Sequence, residues 1–149
     1  MTRKKRILIA VIPLLLIIIT VWCITSSYIL TYKANWGFSL PWTALCREIY
    51  AADSGASFHG DGIRCHIYSY QYEDDIDNLF AWAAHRTTDS GASCADTAAL
   101  WLDTLAIPTE FRPDLDACTV WYHSKSDGSE LIILLCEEEN RIFILEQFI

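Results

Sequence analysis

Residues 117–148 read ACTVWYHSKSDGSELIILLCEEENRIFILEQF. Three runs rich in β-branched, aromatic and aliphatic residues are separated by two short polar stretches, the pattern of strands joined by turns. Ala117–His123 predicts a first strand. Ser126-Asp127-Gly128 supplies residue types that tolerate a tight turn. Leu131–Cys136 is apolar at every position, as a strand covered on both faces requires. Glu137–Asn140 turns the chain again and Arg141–Phe148 returns it. Consecutive strands with links this short pair antiparallel, so the segment predicts a three-stranded meander.

The first turn also sets a register. A three-residue turn at 126–128 pairs Lys125 with Ser129, as in a type I turn followed by a glycine bulge. Counting back along both strands places Cys118 opposite Cys136. A cross-strand disulfide forms there if the pair is a non-hydrogen-bonded one, where the backbones come closer; otherwise both are small buried apolar side chains. Cys23 lies in the N-terminal apolar run, and Cys46, Cys65, Cys94, Cys118 and Cys136 lie beyond it. Five is odd, and none stands in a Cys-x-x-Cys motif, so neither a zinc site nor any other metal or cofactor is expected.

Upstream, a hairpin is predicted from a short strand at Ala56–His59, a Gly60-Asp61-Gly62 turn and a long strand at Ile63–Tyr72. By alternation, Ile63, Cys65 and Ile67 point to one side and Arg64, His66, Tyr68 and Tyr70 to the other. Leu45, Cys46 and Ile49 fit one face of a helix over Trp42–Ala52, stopped by Asp53-Ser54-Gly55. Ile76, Leu79, Phe80 and Ala83 recur at helical spacing after the acidic start Glu73–Asp77, which predicts a second helix ending near Arg86. Thr87–Ala92 is a polar loop, and Asp96-Thr97 caps a third helix through Leu105. Pro108 and Pro113 bracket a linker. The expected fold is α+β: an antiparallel sheet of about five strands with two or three helices packed on one face. Asp-Ser-Gly-Ala-Ser occurs at both 53–57 and 89–93, but the flanks differ, so no repeat is inferred.

Ahead of this domain, Arg3, Lys4, Lys5 and Arg6 precede a run from Ile7 to Leu30 without a charged residue. That length matches a helix crossing roughly 30 Å of hydrocarbon. The basic end stays inside, so the expected layout is a cytoplasmic tail at 1–6, a transmembrane helix at 7–30, a stalk at 31–41 and an extracytoplasmic domain at 42–149. Aromatic residues Trp22, Tyr28, Tyr32 and Trp36 sit towards the outer interface. The run exceeds a cleaved signal's apolar core and lacks an Ala-x-Ala site, and Trp22 before Cys23 argues against a lipidation signal.

Residues 31–149 hold 7 basic residues against all 19 acidic ones, a formal charge of −12. Nucleic acid demands basic surface for counterion release, and anionic lipid disfavours such a domain for the same reason. The expected partners are the membrane through residues 7–30 and an envelope protein or glycan outside it.

Phe58-His59-Gly60-Asp61-Gly62 is the most distinctive motif beyond the anchor. His59 exchanges protons near neutrality, Asp61 can orient it or bind a cation, and His66 follows on the next strand, so these three are the candidate binding residues. No catalytic residue is assigned. The stretch Asp53–Gly62 resembles the Asp-Thr-His-Gly-Gly-Phe-His-Gly-Asp-Gly motif of small bacterial membrane-anchored proteins and lipoproteins of uncharacterised function. The Phe-His-Gly-Asp-Gly core matches in full, whereas Gly55 replaces a histidine and Ala56-Ser57 replace two glycines. The resemblance implies location and architecture and no reaction. Ser93-Cys94 before a helix, with His59, His85 or His123 as base, would make a nucleophile pair, but no local motif supports it. Glu137–Glu139 reads as a solvated charge run and Trp82, Trp101 and Trp121 as packing aromatics. The expected function is a membrane-anchored binding or interaction module; the alternative is a hydrolase or metal-dependent enzyme centred on His59 and Asp61.

Overall fold

The computed structural model describes residues 12–13, 15–20, 31–38, 40, 46–55, 61–71 and 92–149. The chain divides into two compact units, Met1–Leu40 and Pro41–Ile149. In the first unit, residues 15–20 and 31–35 are helical. Leu15, Leu16, Ile17, Ile18 and Ile19 are all exposed. Further on, the Trp36 N–H donates to the Tyr32 carbonyl at 2.8 Å, and the Tyr32 and Phe38 rings stack at 5.2 Å. Among the described residues no helix is long and apolar enough to cross a membrane. Most of the span expected at 7–30 lies outside the described residues.

The second unit is built on a five-stranded antiparallel sheet of order β1-β2-β5-β4-β3, with strands β1 (Cys46–Asp53), β2 (Gly62–Tyr70), β3 (Thr119–Ser124), β4 (Glu130–Cys136) and β5 (Arg141–Phe148). The C-terminal three form the meander read from 117–148. Lys125 N–H donates to the Ser129 carbonyl at 2.9 Å, Gly128 takes φ +88°, and Thr119 pairs with Leu135 through to Ser124 with Glu130. A residue with a Cβ resists that left-handed conformation, which is why glycine closes this turn. The Asp127 carboxylate accepts the Ser129 N–H at 2.9 Å and is held below its ordinary pKa by that bond.

Of the helix expected over Trp42–Ala52, residues 42–45 lie outside the described residues, and residues 46–52 form part of strand β1 instead. The reason is a bulge: the register with β2 shifts between Glu48 and Tyr50, leaving Ile49 as an extra residue. Ile49, the extra residue, packs with Tyr50 and Ala52 against the core, so the apolar positions break strict alternation and hide the period of two. Seven of its eight residues pair with β2, and that ladder outweighs the small helix preference of the segment. The strand expected at 56–59 and the helix expected at 73–86 fall outside the described residues.

Helix α1 (Ala92–Thr104) begins four residues before its expected Asp96 cap. Its last turn closes as a Schellman motif: the Ile107 N–H donates to the Leu102 carbonyl at 3.1 Å and the Ala106 N–H to the Asp103 carbonyl at 2.9 Å, with Ala106 at φ +50°. Arg112 finishes the cap, donating from Nε to the Ile107 carbonyl at 2.8 Å and pairing with Asp103.

Ala98, Trp101 and Leu102 of α1, with Ile107, pack on one face of the sheet against Cys65, Ile67, Ile132, Leu134, Phe143 and Leu145. The opposite face is buried too. Tyr68, Tyr70, Leu131, Ile133, Leu135, Ile142 and Ile144 point there and are all buried. β4 and β5 thus alternate between two buried faces, as the apolar run Leu131–Cys136 predicts for β4, and both read as near-continuous apolar runs for that reason.

Candidate functional site

The motif at 53–62 joins β1 to β2. Ser54 and Ile63 bond twice: the Ser54 N–H donates to the Ile63 carbonyl and the Ile63 N–H to Ser54 Oγ, each at 2.9 Å. Asp53 accepts the Gly55 N–H at 2.8 Å and faces Arg64 Nε at 3.2 Å. A Cβ on Gly62 would stand 2.9 Å from Ser54 Oγ, so glycine here permits a close approach of the two strand ends. Asp53, Ser54 and Gly62 thus serve the hairpin.

His59 lies outside the described residues. Asp61 is half-buried just before β2, and His66 is buried within it. Five residues of extended chain separate them, about 16 Å at a strand's rise. These two therefore do not share one site.

His66 instead belongs to a set of polar groups on the face away from α1. In register across the sheet, Asp53, Arg64, Glu146, Leu131 and His123 form one row, and Ala51, His66, Ile144, Ile133 and Trp121 the next. Glu146 is 2% exposed and His66 4% exposed, on a face whose other buried strand side chains are aliphatic and aromatic. The Arg64 guanidinium pairs with Asp53, faces Glu146 across the strands and lies 5.0 Å from the Phe148 ring centroid. His66 Nδ1 stands 3.6 Å from Glu48 Oε1, beyond hydrogen-bonding reach, and its ring stacks near Tyr68 at 6.5 Å. Burial lowers the His66 pKa from its ordinary 6.5, and the Glu48 carboxylate only partly offsets this. His66 is therefore neutral at pH 7.

A depressed histidine pKa has a defined consequence for stability. Well above pH 6.5 neither the folded nor the unfolded form carries the proton. As pH falls below that value the unfolded chain protonates first, so stability drops until the folded pKa is reached. We expect stability to fall between pH 7 and 5 by up to about 1.4 kcal/mol per pH unit from this group. The difference in slope between wild type and His66→Leu, from urea melts across that range, isolates the contribution. An identical slope in both proteins would place no titration at His66.

Cys65, next to His66 but on the α1 face, has its thiol pushed up to about 12 by burial and stays protonated. Cys94 is buried in the first turn of α1 and not in a loop. Cys118 and Cys136 form a disulfide with a Cα–Cα distance of 4.4 Å, joining the start of β3 to the end of β4. Among the described residues, no group of three histidine, cysteine, aspartate or glutamate side chains is placed to hold a metal ion. No protein-family model matches the chain, and neither a curated protein nor a solved structure does.

The row Asp53–Arg64–Glu146 is not legible in the sequence because Glu146 comes from a strand far along the chain from the hairpin that carries Asp53 and Arg64. One signal was present: Glu146 interrupts an apolar run at a position that alternation assigns to the same side as Ile142 and Ile144.

Proposed function

We propose that the chain is a single-pass membrane protein whose residues 42–149 form an extracytoplasmic interaction module, held by a helix at 7–30 with the basic tail 1–6 inside. The observation that carries this reading is the exposure of five consecutive apolar residues, Leu15–Ile19, in a helical stretch. Five successive residues point all round a helix, and a helix apolar on every side needs a lipid or protein interior around it. The flanking charges support the same reading: four basic residues before the run and a formal charge of −12 after it. The Cys118–Cys136 disulfide fits an oxidising compartment. Buried, neutral His66 and buried, protonated Cys65 contribute packing, not acid–base or nucleophilic chemistry. The partner expected is an envelope protein or glycan.

Protease added to sealed right-side-out vesicles tests the topology. Complete digestion of the domain, with a tag at the N-terminus protected, is the expected result. A protected domain with an accessible N-terminal tag would reverse the orientation and remove the reading.

A further inference from the structure

Resting on the interaction-module reading above, we propose that the outer edge of β3 is a docking site for an extended peptide segment of a partner protein, uncharged in its centre and flanked by lysine or arginine. Strand β3 ends the sheet, and among the described residues no strand pairs with its outer side. The 4.4 Å Cα–Cα distance at Cys118–Cys136 marks a non-hydrogen-bonded pair. Pairs alternate along an antiparallel ladder, so Thr119, Trp121 and His123 bond to β4, whereas Val120 and Tyr122 aim their N–H and C=O groups outward. Such an edge is a template for strand addition.

The two edges of the sheet differ. β1 carries a bulge and the charged residues Arg47, Glu48 and Asp53, all devices that discourage pairing. β3 reads Thr-Val-Trp-Tyr-His-Ser, with a regular register and no charge, proline or bulge. Its four central side chains are half-buried, leaving surface above and below the edge for alternate side chains of a guest strand.

Charge decides the occupant. Asp114 and Asp116 precede β3, and Asp127 and Glu130 follow it, with Lys125 beside the second pair and Arg112, paired with Asp103, ahead of the first. A guest with basic ends meets carboxylates at both ends of the edge. A second copy fits poorly: two-fold antiparallel pairing brings the Asp114 and Asp116 end of one chain against the Asp127 and Glu130 end of the other, between chains whose residues 31–149 each carry −12.

The test uses the full chain in detergent micelles and a fluorescent peptide, Arg-Lys-Val-Thr-Val-Thr-Val-Lys-Arg, read by anisotropy. The expected result is saturable binding, weakened at least roughly tenfold when the flanks become glutamate or when alternate central residues become proline. Val120→Pro removes an outward N–H without touching the β4 ladder and should weaken binding by a similar factor. Thr119→Lys with Ser124→Lys, both at exposed positions, should do so by repulsion and keeps the test available if the proline variant fails to fold. Equal binding of the proline-substituted peptide, or of the double lysine variant, would overturn the proposal, as would a β3-dependent dimer in sedimentation, which assigns the edge to a second copy. Binding that meets these criteria in a chain whose domain proves cytoplasmic would keep the docking edge and reject the topology, so the two readings fail separately.

Discussion

Reduction of the Cys118–Cys136 disulfide is expected to destabilise the domain by about 3 kcal/mol, a fall in melting temperature of roughly 10–20 °C. The bridge spans 18 residues, and releasing a loop of that size returns about this much chain entropy to the unfolded state. Its position sharpens the effect. It ties Cys118, just ahead of the edge strand β3, to the end of β4, and among the described residues β3 has a ladder on one side only. Cys136 is also part of the core beneath α1, so the bridge fastens the edge to the best-packed region. Thermal melts of the full chain with and without reductant read the loss, and Cys118→Ala should reproduce it in the absence of reductant. Peptide mapping of the unreduced chain should recover Cys118 and Cys136 in one linked fragment. Melts that coincide under both conditions would return the pair to two packed thiols. Cys65 should not interfere by exchange, since a thiol pushed up to about 12 supplies almost no thiolate.

The same pair shows what a sequence can convey. Ser126-Asp127-Gly128 is a turn of defined length, turn length sets register, and the resulting alignment of 118 with 136 is the one observed between β3 and β4. Alternation along β2 is equally direct, because Cys65 and Ile67 join the α1 face while His66 and Tyr68 face away. β1 was not legible for the opposite reason. A single extra residue at Ile49 reverses the phase of the strand, and no local pattern announces where a bulge falls. The start of α1 was misplaced for a related cause: Asp96 looks like a cap, yet the helix runs through it, and Thr97 satisfies its hydroxyl on the Ser93 carbonyl at 2.9 Å. The polar row is the least legible of all. Asp53, Arg64 and Glu146 meet only because β2 pairs with both β1 and β5, a connection between hairpin and meander that no adjacent residues encode.

That connection makes β5 the centre of the sheet and leads to the second large effect. Phe143 and Ile144 are neighbours in the chain, both fully buried, and point to opposite faces. Phe143 sits in the cluster beneath α1, so Phe143→Ala should cost about 3–5 kcal/mol through lost burial and the cavity left behind. Ile144 lies between His66 and Ile133 on the other face. On a sheet with one solvated face, its truncation would cost little. Because this face is buried as well, Ile144→Ala should cost about 2–5 kcal/mol, close to the effect of its neighbour. Urea melts of the two variants compare the faces directly. A small loss for Ile144→Ala beside a large one for Phe143→Ala would mean that the second face is open to water in solution. Such a result would also bring Glu146 and His66 to the surface, where the acid-dependent loss assigned to His66 should shrink with it. Comparable losses would establish two buried faces and leave the carboxylate of Glu146 and the neutral ring of His66 as interior polar groups, held in place by the packing around Ile144.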